Sequence, residues 1–191
     1  IHTPLKYPLF EPLPRRSKNI LLRRLVPSDI HQFQIYRTNP EVGRYQGWSV
    51  MSPADAQVFL SEMAVVALFQ LDPWFQIAIA DSETDCLIGD IGICIRSGHE
   101  RFAEIGFTLN PSWQRQGLGT EAVSEALTML FELGQLERVI AMTDTRNLST
   151  IRLLRRVGMH PKETSESAFR GEHCTEHTFE VRRHRASETD L

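Results

Sequence analysis

"NPSWQRQGLGTEAVSEALTML", residues 110–130, contains the junction on which the fold turns. A polar turn leads into six residues with two glycines, Gln114–Gly119, and then into an apolar pattern. Leu118, Ala122, Ala126 and Leu130 step by four, and Val123, Leu127 and Phe131 form the adjacent row. That spacing is one broad stripe and predicts a helix packed on a sheet. Gly134 is expected to end it in the left-handed conformation. Glycine at a helix start costs stability unless something must approach the backbone. What approaches Gly117 and Gly119 decides what the chain does.

The surrounding periodicity changes on both sides. "WFQIAIAD" (74–81), "CLIGDIGICIR" (86–96) and "RFAEIGFTLN" (101–110) alternate as strands do, joined by the turns "SETD" and "SGHE". Three such runs predict an antiparallel meander. Before them, "NILLRRLVPSD" reads as a first strand, with Ser28 or Asp29 opening a helix to about Thr38. Residues 39–53 read as loop. A second helix is expected from Pro53 to about Phe69, capped by Ser52, with Ala56, Phe59, Leu60, Met63, Val66 and Ala67 inward. After the central helix, "ERVIAMTD" reads as a buried strand and "STIRLLRRVG" as a short helix stopped by Gly158. Two closing strands flank a turn at Arg170–Gly171. The predicted order is β-α-α-β-β-β-α-β-α-β-β. A meander followed by a strand–helix–strand crossover implies an α/β (α+β) domain with a mixed sheet of about seven strands, flanked by helices.

The chain has 191 residues, 41% hydrophobic and 24% charged, which fits one globular domain over 1–191. The proline-rich segment 1–18 reads as an extended arm against the domain or a second subunit, and the last residues as a short frayed tail. A net charge of −3 argues against nucleic-acid binding through the overall field. No apolar run reaches the roughly 18 residues of a membrane span. Cys86, Cys94 and Cys174 form no CxxC pair and read as reduced thiols in a cytoplasmic protein. His173, Cys174 and His177 have a spacing that matches no common zinc pattern, so no metal site is expected.

Three readings of the glycine loop compete. Flexible residues before a helix are the plainest. A dinucleotide fingerprint is the second, because Gly117–Ala122 satisfies G-x-G-x-x-A. Its context fails: Asn110–Gln116 separate the first glycine from the strand, and that strand closes an antiparallel meander. The third takes Gln114, Arg115, Gln116, Gly117, Leu118 and Gly119 together as [QR]-x-x-G-x-[GA]. A helix N-terminus offers unpaired N–H groups and a positive dipole end, and glycines let phosphate oxygens reach them.

On that motif the sequence resembles the GNAT N-acetyltransferase superfamily, whose acetyl-CoA pyrophosphate loop carries it. It is most similar to the RimJ/RimL-like branch. "ILLRRLVPSD", "LIGDIGI", "AEIGFTLNPSWQRQGLGTEA", "ERVIAMTDTRNLSTIRLLRRVGM" and "FRGEHCTEHTFEV" resemble successive parts of it in order, over about 19–181. The resemblance implies a GNAT fold splayed between its fourth and fifth strands, with the pantetheine arm of acetyl-CoA lying in the gap. Phe107, Thr108 and Leu109 are then expected to hold that arm as a pseudo-strand. Gln114–Gly119 and Thr120 would hold the pyrophosphate, and Asn147 matches the family's asparagine near the pantetheine.

The implied reaction is attack of a primary amine, on a protein N-terminus or a small molecule, on the acetyl thioester. Such an amine is largely protonated at neutral pH, so a base must take a proton. Glu104 is the first choice, with Asp90 in reserve. The tyrosine that many members use as acid corresponds to Leu154. The branch's serine corresponds to Thr150, with Ser149 beside it. Tyr45 and Trp48 are candidates for the acceptor pocket. An antibiotic (aminoglycoside-type) acetyltransferase and a non-catalytic acyl-CoA-binding module are the alternatives. A homodimer is an open expectation.

Overall fold

The computed structural model describes residues 12–97, 100–132 and 136–183. Its elements are β1 (Arg15–Arg16), β2 (Ile20–Arg24), α1 (Ile30–Arg37), α2 (Pro40–Gly43), α3 (Pro53–Val65), β3 (Phe75–Asp81), β4 (Leu87–Arg96) and β5 (Phe102–Leu109), then α4 (Leu118–Glu132), β6 (Arg138–Asp144), α5 (Leu148–Arg156), β7 (His160–Phe169) and β8 (Glu172–Arg182). The strands form one sheet in the order β1-β2-β3-β4-β5-β6-β8-β7. Every neighbouring pair is antiparallel except β5 and β6. Short turns can only return a chain antiparallel, whereas the α4 crossover brings β6 back parallel to β5.

Register sorts the two faces. Ile77, Ile91 and Phe107 align across β3, β4 and β5. On the opposite face, Asp90, Gly92 and Cys94 oppose Thr108, Gly106 and Glu104. α1 lies against this second face, where Tyr36 and Arg37 both reach Asp90. α4 packs against β2, β5 and α5. Its predicted stripe is the buried one: Leu118, Ala122, Val123, Ala126, Leu127 and Leu130 are all inside, with Phe131 partly so.

Four features depart from the sequence reading. An eighth strand, β1, pairs with β2, and Arg15 reaches Glu125 and Glu132 on α4, each at 2.6 Å. Two residues are too few for a period to show. The loop at 39–53 contains the short α2, started by Asn39, whose side chain accepts from the Glu41 and Val42 amides. α3 stops at Val65 rather than near Phe69, because Val66 turns extended (ψ 138°) and Leu68 and Phe69 fold back into the core. Phe69 meets the Phe75 ring edge-on at 5.2 Å. β7 begins at His160, almost directly after α5, and is longer than its sequence suggests. It is an edge strand exposed on most positions, so it carries no apolar alternation to read, and Pro161 is tolerated there.

The predicted stops behave as their chemistry requires. Gly158 has φ +84°, and the Gly158 and Met159 amides bond back to Arg155 and Leu154 in a Schellman arrangement. Arg170 and Gly171 both have positive φ, the mirror-type hairpin turn that matches strand twist. Gly134, the arm before residue 12 and the tail after 183 lie outside the described residues.

Candidate active site

The gap in the sheet comes first. β5 pairs with β6 only at Phe102↔Arg138, Ala103↔Val139 and Glu104↔Ile140. Past Glu104 the two strands separate. The Asn110 amide donates to the Ile88 carbonyl at 2.8 Å, so the even-numbered residues of β5 aim their backbone groups at β4. Those of Ile105, Phe107 and Leu109 therefore face the gap. Thr108 contributes its hydroxyl instead, which accepts from Trp48 Nε1 at 3.3 Å. Of the three residues expected to hold an extended arm, Phe107 and Leu109 present backbone to the gap and Thr108 does not.

The gap opens into a cleft of about 680 Å³. One wall is the loop before α4. Gln114, Arg115, Gly117, Gly119 and Thr120 line it, while Gln116 and Leu118 do not. Leu118 is buried on the inner face of α4, and Gln116 donates back to the Ser112 carbonyl. Gln114 donates to the Leu109 carbonyl at 2.9 Å, tying the loop to the strand edge. The two glycines serve different needs. Gly117 has φ +83°, which a side chain would strain. Gly119 has ordinary backbone, but a Cβ there would meet Leu153 Cδ1 at 3.1 Å, so it permits α4 to start close against α5. The first intrahelical bond of α4 here is Glu121 to Gly117, at 3.0 Å. The N–H groups ahead of Glu121 at the start of α4 have no intrahelical partner and sit at the positive end of the helix dipole.

The second wall is α5. Asn147 caps it, its Oδ1 accepting from the Thr150 amide at 3.3 Å and from Ser149 Oγ at 3.0 Å. Asn147, Ser149 and Thr150 all line the cleft. So do Arg152 and Arg156, one helical turn apart and facing the same space as Arg115. These two arginines were missed in the sequence; the i, i+4 spacing in "RLLRR" was the available signal. A cleft wall with three guanidinium groups beside a helix N-terminus suits a ligand carrying several phosphates. Arg152→Ala and Arg156→Ala are each expected to weaken coenzyme A binding about five- to tenfold, as one exposed charge-assisted contact is worth about 1 kcal/mol. Isothermal titration at low and high salt checks this, because the loss should shrink as salt rises.

The third wall comes from α2 and the segment after it. Glu41, Val42, Tyr45 and Gln46 line it. Tyr45, one of the two aromatics named as acceptor-pocket candidates, lines the cleft. Trp48 stands behind it, with its ring 4.6 Å from the Arg37 guanidinium. Gln46 Nε2 donates to the Phe107 carbonyl at 3.1 Å, and Arg170, at the β7–β8 turn, donates to the Gln46 and Trp48 carbonyls at 3.3 and 2.9 Å.

The titratable candidates fall in different places. Glu104 is the last β5 residue paired with β6, so it stands at the vertex of the gap. Its side chain is only 15% exposed and its carboxylate lies 3.5 Å from Arg96; it is not part of the cleft lining. Asp90 is committed to structure: both oxygens are bound by Tyr36 and Arg37, and it is 2% exposed, which removes it as the reserve base. Leu154 is fully buried core. Asp144, at the end of β6, is gripped by Arg146, whose hydrogen bonds hold its carboxyl below the usual range. His173 and His177 lie on one face of β8 and Cys174 on the other, since a strand alternates. Among the described residues no group of three or more such side chains is arranged to hold a metal. No described helix is long and apolar enough to cross a membrane.

Comparison with known proteins agrees with this architecture. Residues 19–160 match the acetyltransferase (GNAT) domain family. The uncharacterized N-acetyltransferase YnaD of Bacillus subtilis is 27% identical over 143 residues, covering 75% of this chain and 80% of that protein. A GNAT-family acetyltransferase from Bacillus anthracis superposes with a TM-score of 0.77 at 20% identity, over 89% of this chain and 98% of that one. RimL, a ribosomal L7/L12 α-N-protein acetyltransferase solved with coenzyme A, has a TM-score of 0.75 at 14% identity, over 87% and 95%. The chain belongs to the GNAT acetyltransferase family; it is an N-acetyltransferase whose co-substrate is acetyl-CoA.

Proposed function

We propose that the protein transfers the acetyl group of acetyl-CoA to a primary amine, of a protein N-terminus or a small molecule, by direct attack. The observation that carries this is the continuity of the cleft. Gap-facing backbone at Phe107 and Leu109 runs into the Gln114–Thr120 loop and then to the arginines of α5. A thioester arm fits the first part, a pyrophosphate the second and a further phosphate the third.

In this reading a gap-facing N–H of β5 near the vertex stabilises the developing oxyanion. Glu104 takes the amine's proton through water, since it stands at the vertex but outside the cleft lining. Ser149 or Thr150 protonates the leaving thiolate; both residues line the cleft beside Asn147. A thiolate leaves readily, so a weak acid suffices. The acceptor wall offers one carboxylate, Glu41, rather than the dense acidic surface a polycationic antibiotic would favour.

The test is a thiol-release assay with acetyl-CoA against a panel of amines and peptide N-termini, alongside a thermal shift with coenzyme A. The expected result is stabilisation by coenzyme A and acceptor-dependent thiol release. Stabilisation with no turnover on any amine would favour a non-catalytic acyl-CoA-binding module. No stabilisation at all would sink the donor assignment.

A further inference from the structure

The open edge of β5 is already occupied. Phe107 and Leu109 aim their carbonyls into the gap, and each accepts from a glutamine: Leu109 from Gln114 at 2.9 Å and Phe107 from Gln46 at 3.1 Å. The two glutamines come from different walls. Gln114 belongs to the pyrophosphate loop, and it binds at the end of β5 nearest that loop. Gln46 comes from the acceptor wall and binds closer to the vertex. An extended arm adding to β5 must bring its amide N–H to these same gap-facing carbonyls.

We propose that Gln46 is a positioning residue that acetyl-CoA displaces from the Phe107 carbonyl, so that donor binding releases one of the contacts holding the acceptor wall against β5. This rests on the donor assignment above. Among the described residues, hydrogen bonds tie the segment containing Gln46 to the rest of the protein at three points. Gln46 binds Phe107, Trp48 Nε1 binds the Thr108 hydroxyl, and Arg170 binds the Gln46 and Trp48 carbonyls. Donor entry breaks the first and leaves the other two. The wall that carries Tyr45 and Glu41 then adjusts while it stays anchored by Trp48. The freed carboxamide, with two donors and an acceptor, points into a cleft where an amine must dock. The acceptor wall therefore takes a different shape in the donor complex from the one it has in the free protein.

The sign of this effect separates it from a structural role. Gln46→Ala removes the competitor, and Gln46→Glu keeps the size but cannot donate to a carbonyl. Both are expected to bind acetyl-CoA about fivefold more tightly than wild type, the equivalent of one net hydrogen bond of about 1 kcal/mol. Arg170→Ala, outside the cleft lining, loosens the same segment and is expected to shift affinity the same way by about twofold. Isothermal titration of acetyl-CoA into each full-length variant gives the Kd, and a thermal melt of each free variant reports folding. Tighter binding by both Gln46 variants, with a melt lowered by no more than about 4 °C, supports the proposal. Equal or weaker binding by either variant overturns it, weaker binding meaning that Gln46 is itself a donor contact. If wild type binds no acetyl-CoA, the donor assignment fails and this fails with it; if wild type binds and the variants match it, only the displacement is refuted.

Discussion

Asp90→Ala is expected to destabilise the fold by about 3–5 kcal/mol, the usual cost of leaving a buried charge without its partner. The Asp90 and Arg37 side chains are each 3% exposed and meet at 2.8 Å, with a second contact from Arg37 Nε at 3.3 Å. Tyr36 adds a hydroxyl donor to the same carboxylate at 2.6 Å. Burial, reinforced by the carboxylate, pushes the Tyr36 phenol well above its ordinary range, so it remains the donor. Removal of Asp90 strands a guanidinium whose remaining partner is Gln76 at 2.5 Å, between the rings of Phe33 and Trp48 at 4.9 and 4.6 Å. A urea titration with unchanged slope and a lower midpoint is the expected readout. Arg37→Met in the same chain should recover much of the loss, because an uncharged side chain needs no counter-ion. If the double variant is no more stable than Asp90→Ala, the buried charge is not the cause. The effect should extend to function, since Arg37 supports Trp48 and Trp48 binds Thr108 at the cleft.

Glu104→Gln is the second large effect, this time on rate. The substitution keeps size and hydrogen-bonding capacity but cannot accept the amine's proton. General-base removal typically costs about 10²–10⁴-fold in kcat. Its structural cost should be small, because the contact with Arg96 is a 3.5 Å pair to a side chain 37% exposed, worth well under ~1 kcal/mol. Acetyl-CoA affinity should hardly change, since Glu104 does not line the cleft. Steady-state kinetics with saturating donor read kcat, and titration reads the Kd. Near-normal kcat would remove Glu104 from the role and move the proton to another group or to bulk water.

Much of the architecture was legible before the structure, and the reasons are local. The 118–131 stripe, the alternation of 75–81 and 87–96, Gly158 and the Arg170–Gly171 turn each encode their conformation within a few residues. Where the sequence misled, the governing contact was distant. α3 ends early because Leu68 and Phe69 are claimed by the core. β7 is hidden because a strand at the sheet's edge needs no apolar face. Gly119 reads as a phosphate glycine, yet its nearest constraint is Leu153, more than thirty positions away in the chain.

The same division runs through the site. By itself the sequence determined the layout of one side of the cleft: the Gln114–Gly119 motif, the helix it opens and the strand before it are contiguous, so their arrangement is set by order along the chain. Only the tertiary structure decided which groups share the cleft. It brought Arg152 and Arg156 to the loop, committed Asp90 to Arg37, set Glu104 at the vertex beside Arg96, and laid Gln46 across the Phe107 carbonyl. Those contacts join residues far apart in the chain, and their geometry exists only once the sheet has splayed between β5 and β6.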